Sequence, residues 1–418
     1  MIYELFNILS DKYDFAGEYL FQFLSFRAVL AAVTSLVITI LFGQRIINKL
    51  RSLQMGETIR DLGLEGQKEK EGTPTMGGLM ILGAILLPTL LFADLTNVYI
   101  QMMILTTVWM GIIGFIDDYI KIFRKNKKGL PGKFKVFGQI TLGLIIGACM
   151  YFHPDIYAKK EVSANEASRF PQEQISIVND FDGEEHFMAK IDVPITTIPF
   201  IKSHEINYEK PVVMLFGENA RPYAWIFYFA VIIFIITAIS NGANLTDGID
   251  GLATGTSAIM GVVLFALIYI SGNIIFANYL NVMFIPFVGE LAVFVAAFIG
   301  ATIGFLWYNS FPAKVFMGDT GSLAIGGIIA SLAIIARKEW MLPVLAGIFL
   351  AENLSVIMQV SWFKYTKKKY GEGRRIFLMS PLHHHYQKAG FHESKIVTRF
   401  FIVGILLAII TMATLKIR

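Results

Sequence analysis

The sequence predicts an all-α polytopic membrane protein with about ten transmembrane helices and a small β-containing insertion. Three observations carry that prediction. Only 16% of the 418 residues are charged, against 55% hydrophobic, whereas a soluble chain carries roughly 25% charge to keep its surface wet. The mean hydropathy is +0.58. Apolar stretches approaching the ~20 residues needed to cross the hydrocarbon layer recur along the whole chain. The same figures argue against disorder, a coiled coil or a nucleic-acid module. The 36 Lys+Arg exceed the 32 Asp+Glu by only four, too little for a polyanionic partner.

Ten apolar segments qualify, at 24–43, 76–93, 98–116, 134–152, 223–240, 251–270, 289–307, 321–336, 341–363 and 396–415. Lysine and arginine mark the cytoplasmic side of a span. The loops after the first, third, fifth, seventh and ninth segments hold 23 of them, in clusters such as Arg45 to Lys70, Lys121 to Lys135 and Lys364 to Arg399. The short loops on the other side hold two, Arg337 and Lys338. The odd-numbered loops are therefore expected in the cytoplasm and both termini outside. The N-terminus, MIYELFNILSDKYDF, has neither a basic leader nor a small-residue cleavage site, so the first span is expected to do the targeting. The single cysteine, Cys149, lies in an apolar run and allows no intramolecular disulfide and no CxxC site.

Residues 153–222 break the pattern, with twelve acids and seven basic residues. IDVPITTIPFI and KPVVMLFG are rich in β-branched residues and punctuated by proline, which predicts short strands. The stretch reads as an extracytoplasmic insertion between spans four and five in an otherwise single transmembrane domain, 1–418.

Polar residues that solubility does not require gather on the inferred cytoplasmic side. KEKEGTPTMGG (68–78) sets Lys70, Thr73 and Thr75 before a helix start, where backbone amides favour anions; a plain helix cap is the alternative. GFIDDYIK holds the pair Asp117-Asp118, whose mutual repulsion is relieved by a cation or by proton uptake. Lys133 follows a Pro-Gly turn. In NGANLTDGIDG, Asn241, Asn244, Asp247 and Asp250 step by three and, if helical, share a face. AKVFMGDTGS places Asp319 at a helix start, with Phe316 as a stacking surface. SPLHHHYQKAG carries His383, His384 and His385, which cannot all face one way. Glu352, inside the ninth span, forms a stripe with Ser355 and Gln359 that is expected to face the protein interior. Glu352 suits hydrogen-bonding support as well as ligand contact, while Gln359, nearer the cytoplasm, suits ligand contact.

There is no GxxxxGK[ST], CxxC or HExxH pattern. Carboxylates beside lysines, without thiols or organised imidazoles, suit Mg²⁺ and phosphates. A polar site at the bilayer edge suits one dissolved and one lipid substrate, and hence Mg²⁺-dependent phosphoryl transfer onto a membrane lipid.

Taken together, GTPTMGG, GFIDDYIK, NLTDGIDGLA, VFMGDTGSLA and SPLHHHYQ closely resemble the phospho-N-acetylmuramoyl-pentapeptide-transferase family, over nearly every span but not over 153–222. SPLHHHYQ is the part that resembles the muramoyl branch in particular. The resemblance implies transfer of phospho-MurNAc-pentapeptide from UDP-MurNAc-pentapeptide to undecaprenyl phosphate, the first lipid step of peptidoglycan synthesis, with release of UMP. It also implies a ten-span fold in the bacterial inner membrane, an active site facing the cytoplasm, and often a homodimer. By the same resemblance Asp319 is the principal Mg²⁺ ligand, Asp117 the base for the lipid phosphate, and Asp118 its support or a further ligand. Asn244, Asp247 and Asp250 match the nucleotide-side loop, with Asp250 near uracil and Phe316 stacked on it. Lys70, Thr75 and Lys133 match the diphosphate and nucleoside cleft, and His383 and His384 essential diphosphate or sugar contacts. Direct attack by the lipid phosphate and a phospho-enzyme route both fit this pattern. A peptide-free UDP-N-acetylhexosamine transferase and a membrane transporter are the rival readings.

Overall fold

The computed structural model describes residues 2–4, 18–53, 70, 72–126, 128–162, 171, 175–179, 185–191, 194–198, 205–280 and 282–415. Lys68, Glu69 and Glu71 of the first polar cluster lie outside the described residues. The long helices run in the order α1 (Leu24–Ser52), α2 (Gly78–Phe92), α3 (Val98–Ile122) and α4 (Gly132–Phe152). Five strands follow: β1 (Ala158–Val162), β2 (Ile175–Asn179), β3 (Glu185–Ile191), β4 (Ile195–Thr197) and β5 (Glu205–Asn207). Then come α5 (Glu209–Phe216), α6 (Ala224–Thr246), α7 (Leu252–Ser271), α8 (Leu291–Asn309) and α9 (Gly318–Ile335). The last three are α10 (Gly347–Tyr370), α11 (Leu382–Lys388) and α12 (Glu393–Ala413).

Among the described residues, eight helices are long and apolar enough to cross a membrane. The chain is thus a polytopic membrane protein. A ninth candidate is Glu339–Leu345 joined to α10 through a 76° bend, and the apolar α2 is shorter, at Gly78–Phe92. Each of the ten segments expected from hydropathy falls on one of these elements. Their ends follow local chemistry: Asn97 caps α3 by accepting from the backbone N–H groups of Tyr99 (2.9 Å) and Ile100 (3.3 Å), as a helix start requires. Lys367, Lys368 and Lys369 fill the last turn of α10, where positive charge complements the helix dipole.

The centre of the bundle is α9. In its most apolar stretch 89% of the residues are buried, and it packs against α3, α6 and α2. Gly78 of α2 meets Gly321 of α9 backbone to backbone: a Cβ on Gly321 would lie 2.8 Å from the Gly78 Cα, so only glycine allows this crossing. Eighteen residues of helix rise about 27 Å, close to the thickness of the hydrocarbon layer. The two ends of α9 therefore mark the two faces of the bundle.

The insertion packs at the C-terminal end of α9. β1, β3 and β2 form an antiparallel sheet in that order, and β4 pairs with β5. The backbone of Lys159 pairs with Phe284. Thr197 donates its N–H to the Arg337 carbonyl at 3.0 Å, and the buried Lys338 ammonium donates to Thr197 Oγ1 at 2.6 Å. Tyr208 donates to Glu339 Oε1 at 2.7 Å and accepts from Trp340 at 2.9 Å. The two basic residues of that short loop thus bind the insertion. One expectation is overturned here. KPVVMLFG is not a strand; it forms most of α5. Pro211 sits in the first turn, where a missing N–H is harmless. Met214, Leu215 and Phe216 are left 88%, 74% and 74% exposed. Of IDVPITTIPFI, 195–197 is strand as expected, whereas 192–193 and 199–201 lie outside the described residues.

Candidate active site

Asp117, Asp118 and Asp319 converge at the opposite end of α9. Ligand-type oxygens of the three lie within 4.8 Å of one another. Their backbone positions explain why. Asp117 and Asp118 stand in the last turns of α3, beside the start of α9. Asp118 accepts from the backbone N–H groups of Asp319 (3.1 Å) and Thr320 (2.9 Å) and from the Thr320 hydroxyl (2.6 Å). It caps α9 from a neighbouring helix and sits on the positive end of that helix dipole. Gly318, at φ +73°, makes the turn possible: a Cβ there would lie 2.7 Å from Asp118 Oδ2 and 3.0 Å from Thr75 Oγ1. The first and fourth polar clusters are also joined by backbone hydrogen bonds, Phe316 N–H to Pro74 O (2.8 Å) and Gly77 N–H to Phe316 O (2.9 Å).

Two lysines hold the other two acids. Lys121, one turn after Asp117, lies 2.5 Å from its Oδ2 and 3.2 Å from Asp319 Oδ2. Lys135 of α4 lies 3.0 Å from Asp117 Oδ1 and forms an ion pair with Asp319. The Leu130 N–H donates to Asp117 Oδ1 at 2.7 Å, so the loop between α3 and α4 folds over this buried carboxylate. Lys133 is placed elsewhere, exposed, with its ammonium 5.1 Å from the Phe134 ring centre. Three carboxylates beside two ammonium groups leave one net negative charge in a largely buried pocket. An all-oxygen donor set of this kind suits a hard divalent cation such as Mg²⁺. Lys135→Ala is expected to lower kcat/KM for transfer roughly 100-fold, because a charge-assisted pair to two acids is lost. Lys133→Ala should stay within about threefold, as for a solvated cation. Side-by-side steady-state assays of the two variants check this.

The Asn/Asp loop divides rather than forming one face. α6 ends at Thr246, so the spacing of three stops being helical before Asp250. Asn241 donates to Gln139 Oε1 at 3.1 Å. Asn244 donates to Asp319 Oδ1 (3.0 Å) and to the Ser322 hydroxyl (2.9 Å). Asp247 stands half-buried at the end of α6. Asp250 turns away to a second cluster, where Lys70 Nζ reaches Asp250 Oδ1 (2.7 Å) and Glu393 Oε1 (2.6 Å). The Ala313 N–H closes on Asp250 Oδ2 at 3.0 Å. Phe316 is half-buried, its backbone bonded to Pro74 and Gly77.

The three histidines separate as expected. His383 is fully buried; its backbone N–H donates to Glu352 Oε1 at 3.2 Å, and its Nδ1 lies 3.2 Å from Glu352 Oε2. Glu352 therefore secures α11 inside the bundle. His384 Nδ1 lies 2.7 Å from Gln387 Oε1. Its pKa is pushed down to about 4, first by burial and then by the neighbouring His383 and Lys70, so the ring is neutral at pH 7. His385 Nδ1 accepts from the Leu378 N–H at 3.2 Å. Gln359 is directed at a loop: its Oε1 accepts from the Ile376 and Phe377 N–H groups, each at 3.0 Å, and its amide donates to Phe377 O at 3.1 Å.

A family profile described as glycosyl transferase family 4 matches residues 100–337. A second, described as phospho-N-acetylmuramoyl-pentapeptide-transferase signature 1, matches residues 70–82, the segment that carries Lys70 and Thr75. Phospho-N-acetylmuramoyl-pentapeptide-transferases of Flavobacterium psychrophilum and Flavobacterium johnsoniae are 59% and 56% identical over 418 residues, with all of both chains covered. That of Parabacteroides distasonis is 52% identical, again with both chains covered throughout. The chain belongs to the phospho-N-acetylmuramoyl-pentapeptide-transferase family. The segment 153–222, which the sequence motifs left outside the resemblance, lies within these full-length matches.

As a phospho-N-acetylmuramoyl-pentapeptide-transferase, the chain is an enzyme whose polar residues gather in two adjoining groups, one around Asp117, Asp118 and Asp319, the other around Lys70 and Asp250. Sequence reasoning missed Lys121, Lys135 and Glu393. Lys121 was within reach, since it stands four residues after Asp117 on the same helix face. Glu393 shows itself only in three dimensions, 323 residues from Lys70.

Proposed function

We propose that this chain transfers phospho-MurNAc-pentapeptide from its UDP carrier to undecaprenyl phosphate, with Mg²⁺, at the cytoplasmic face of a bacterial inner membrane. The observation that carries the proposal is the cluster of Asp117, Asp118 and Asp319 with Lys121 and Lys135 at one end of a membrane-embedded bundle. Asp319 and Asp117 would hold the ion, with Asp118 fixing the start of α9 beside them. When bound, the ion neutralises diphosphate oxygens and stabilises the departing phosphate. Lys121 and Lys135 meet the negative charge that builds on the transferring group. Asp117 takes the proton of the lipid phosphate. An oxygen of that phosphate then bonds to the sugar-linked phosphorus, the P–O bond to the α-phosphate breaks, and UMP leaves with the bridging oxygen.

The second group, Lys70, Asp250, His384 and Phe316, forms the nucleotide and sugar side. The exposed apolar surface of α10, with Leu354, Ile357 and Met358, supports an approach for the polyprenyl tail from the bilayer. The ten-segment topology with both termini outside, and a homodimer, belong to the same reading. The names of the relatives favour the muramoyl donor over a peptide-free UDP-N-acetylhexosamine. Against the transporter reading, Glu352, the acid inside the ninth span, accepts from the His383 backbone N–H.

The test is UMP release by the purified protein in detergent. UDP-MurNAc-pentapeptide with undecaprenyl phosphate and Mg²⁺ should give turnover that stops when the ion is chelated or the acceptor omitted. Turnover on UDP-N-acetylglucosamine alone would contradict the proposal, as would rates that ignore the acceptor.

A further inference from the structure

His384 is held by Gln387 and Glu393, two residues to which the reaction described above gives no part. Glu393, at the start of α12 and 8% exposed, takes Lys70 Nζ (2.6 Å) and the Asp250 N–H (2.7 Å) on Oε1. Its other oxygen, Oε2, faces Gln387 Nε2 at 3.4 Å. A carboxylate paired with an ammonium has only acceptors to offer. The Gln387 amide must therefore turn its NH₂ to Glu393, and its carbonyl oxygen faces His384 Nδ1 at 2.7 Å. A carbonyl oxygen cannot donate, so Nδ1 must carry the proton. This assignment follows from acceptor chemistry and not from the placement of hydrogens. Burial, with His383 and Lys70 as neighbours, keeps the ring neutral at pH 7. With the single proton on Nδ1, Nε2 is left as a lone pair, and among the described residues no hydrogen bond from a protein group reaches it.

We propose that Gln387 and Glu393 are positioning residues that hold His384 as the Nδ1–H tautomer, so that Nε2 accepts a hydrogen bond from a hydroxyl or amide N–H of the donor substrate. A bare imidazole nitrogen repels phosphate oxygens and has no proton to offer them. His384 thus reads the sugar, peptide or base of the donor and not its diphosphate. This part of the inference rests on the transferase reading; the tautomer lock does not.

The experiment uses full-length protein labelled with ¹⁵N-histidine. Seven histidines are present, and the His384 resonances are assigned by their loss in His384→Gln. At pH 7.5 the wild type should show a protonated Nδ1 and an unprotonated Nε2 at His384. Gln387→Leu removes the acceptor: the ring should shift toward Nε2–H, and kcat/KM for UDP-MurNAc-pentapeptide should fall roughly tenfold, mostly through KM. An Nε2–H ring in the wild type overturns the proposal, as does a ring unchanged by Gln387→Leu. Wild-type protein that releases no UMP yet shows the Nδ1–H ring would count against the transferase reading and for the tautomer lock.

Discussion

Asp319→Asn is expected to lower Mg²⁺-dependent UMP release on the order of 10³-fold, the scale of losing a principal charge-stabilising group in an active site. The substitution is close to isosteric. The Asn oxygen can keep the bond from Asn244, now 3.0 Å from Asp319 Oδ1. What disappears is the negative charge facing Lys121 and Lys135. Asp118 still caps α9 through the Asp319 and Thr320 N–H groups, so the helix start is preserved and Tm should move by no more than about 4 °C. A large rate loss with an intact fold places Asp319 in the chemistry. Turnover close to wild type would remove it from the role of ion ligand.

Glu352→Leu should do the reverse, acting first on stability. The carboxylate is fully buried, accepts from the His383 backbone N–H at 3.2 Å, and lies 3.2 Å from the His383 Nδ1. Leucine leaves that buried N–H without a partner in the bundle interior, at a cost of about 2 kcal/mol. α11 then loses its anchor, and the thermal transition in detergent should fall clearly below that of the wild type. Glu352→Gln keeps an acceptor for the backbone N–H and should cost about 1 kcal/mol while retaining activity. Equal stability of the Leu variant and the wild type would contradict the anchoring role. Loss of turnover in Glu352→Gln without loss of stability would make Glu352 part of the chemistry instead.

The spans were legible because hydrophobic run length is a local property and the bilayer fixes the length required. The carboxylate cluster was legible for a related reason. Solubility does not demand acids at the edge of a membrane bundle, so Asp117-Asp118 and Asp319 stood out where they occur. Partners across the fold were not legible. Lys133 and Lys135 sit in the same basic loop, and only the start of α4 at Gly132 decides which of them turns inward. Gln359 was read as a ligand contact because it extends a polar stripe, yet the loop that returns along α10 takes both ends of its amide. Asp250 was grouped with Asn244 by a spacing of three, and the end of α6 separates them. The helix at 209–216 hides behind β-branched residues, since strand propensity is weak beside tertiary context.

The most direct test of the whole account is the binding of a divalent ion, followed with Mn²⁺ by electron paramagnetic resonance in the purified protein without substrates. One Mn²⁺ per chain is expected, displaced by Mg²⁺ and lost in Asp319→Asn. Wild-type protein that binds no such ion, or an Asp319→Asn variant that binds it as tightly, would contradict it.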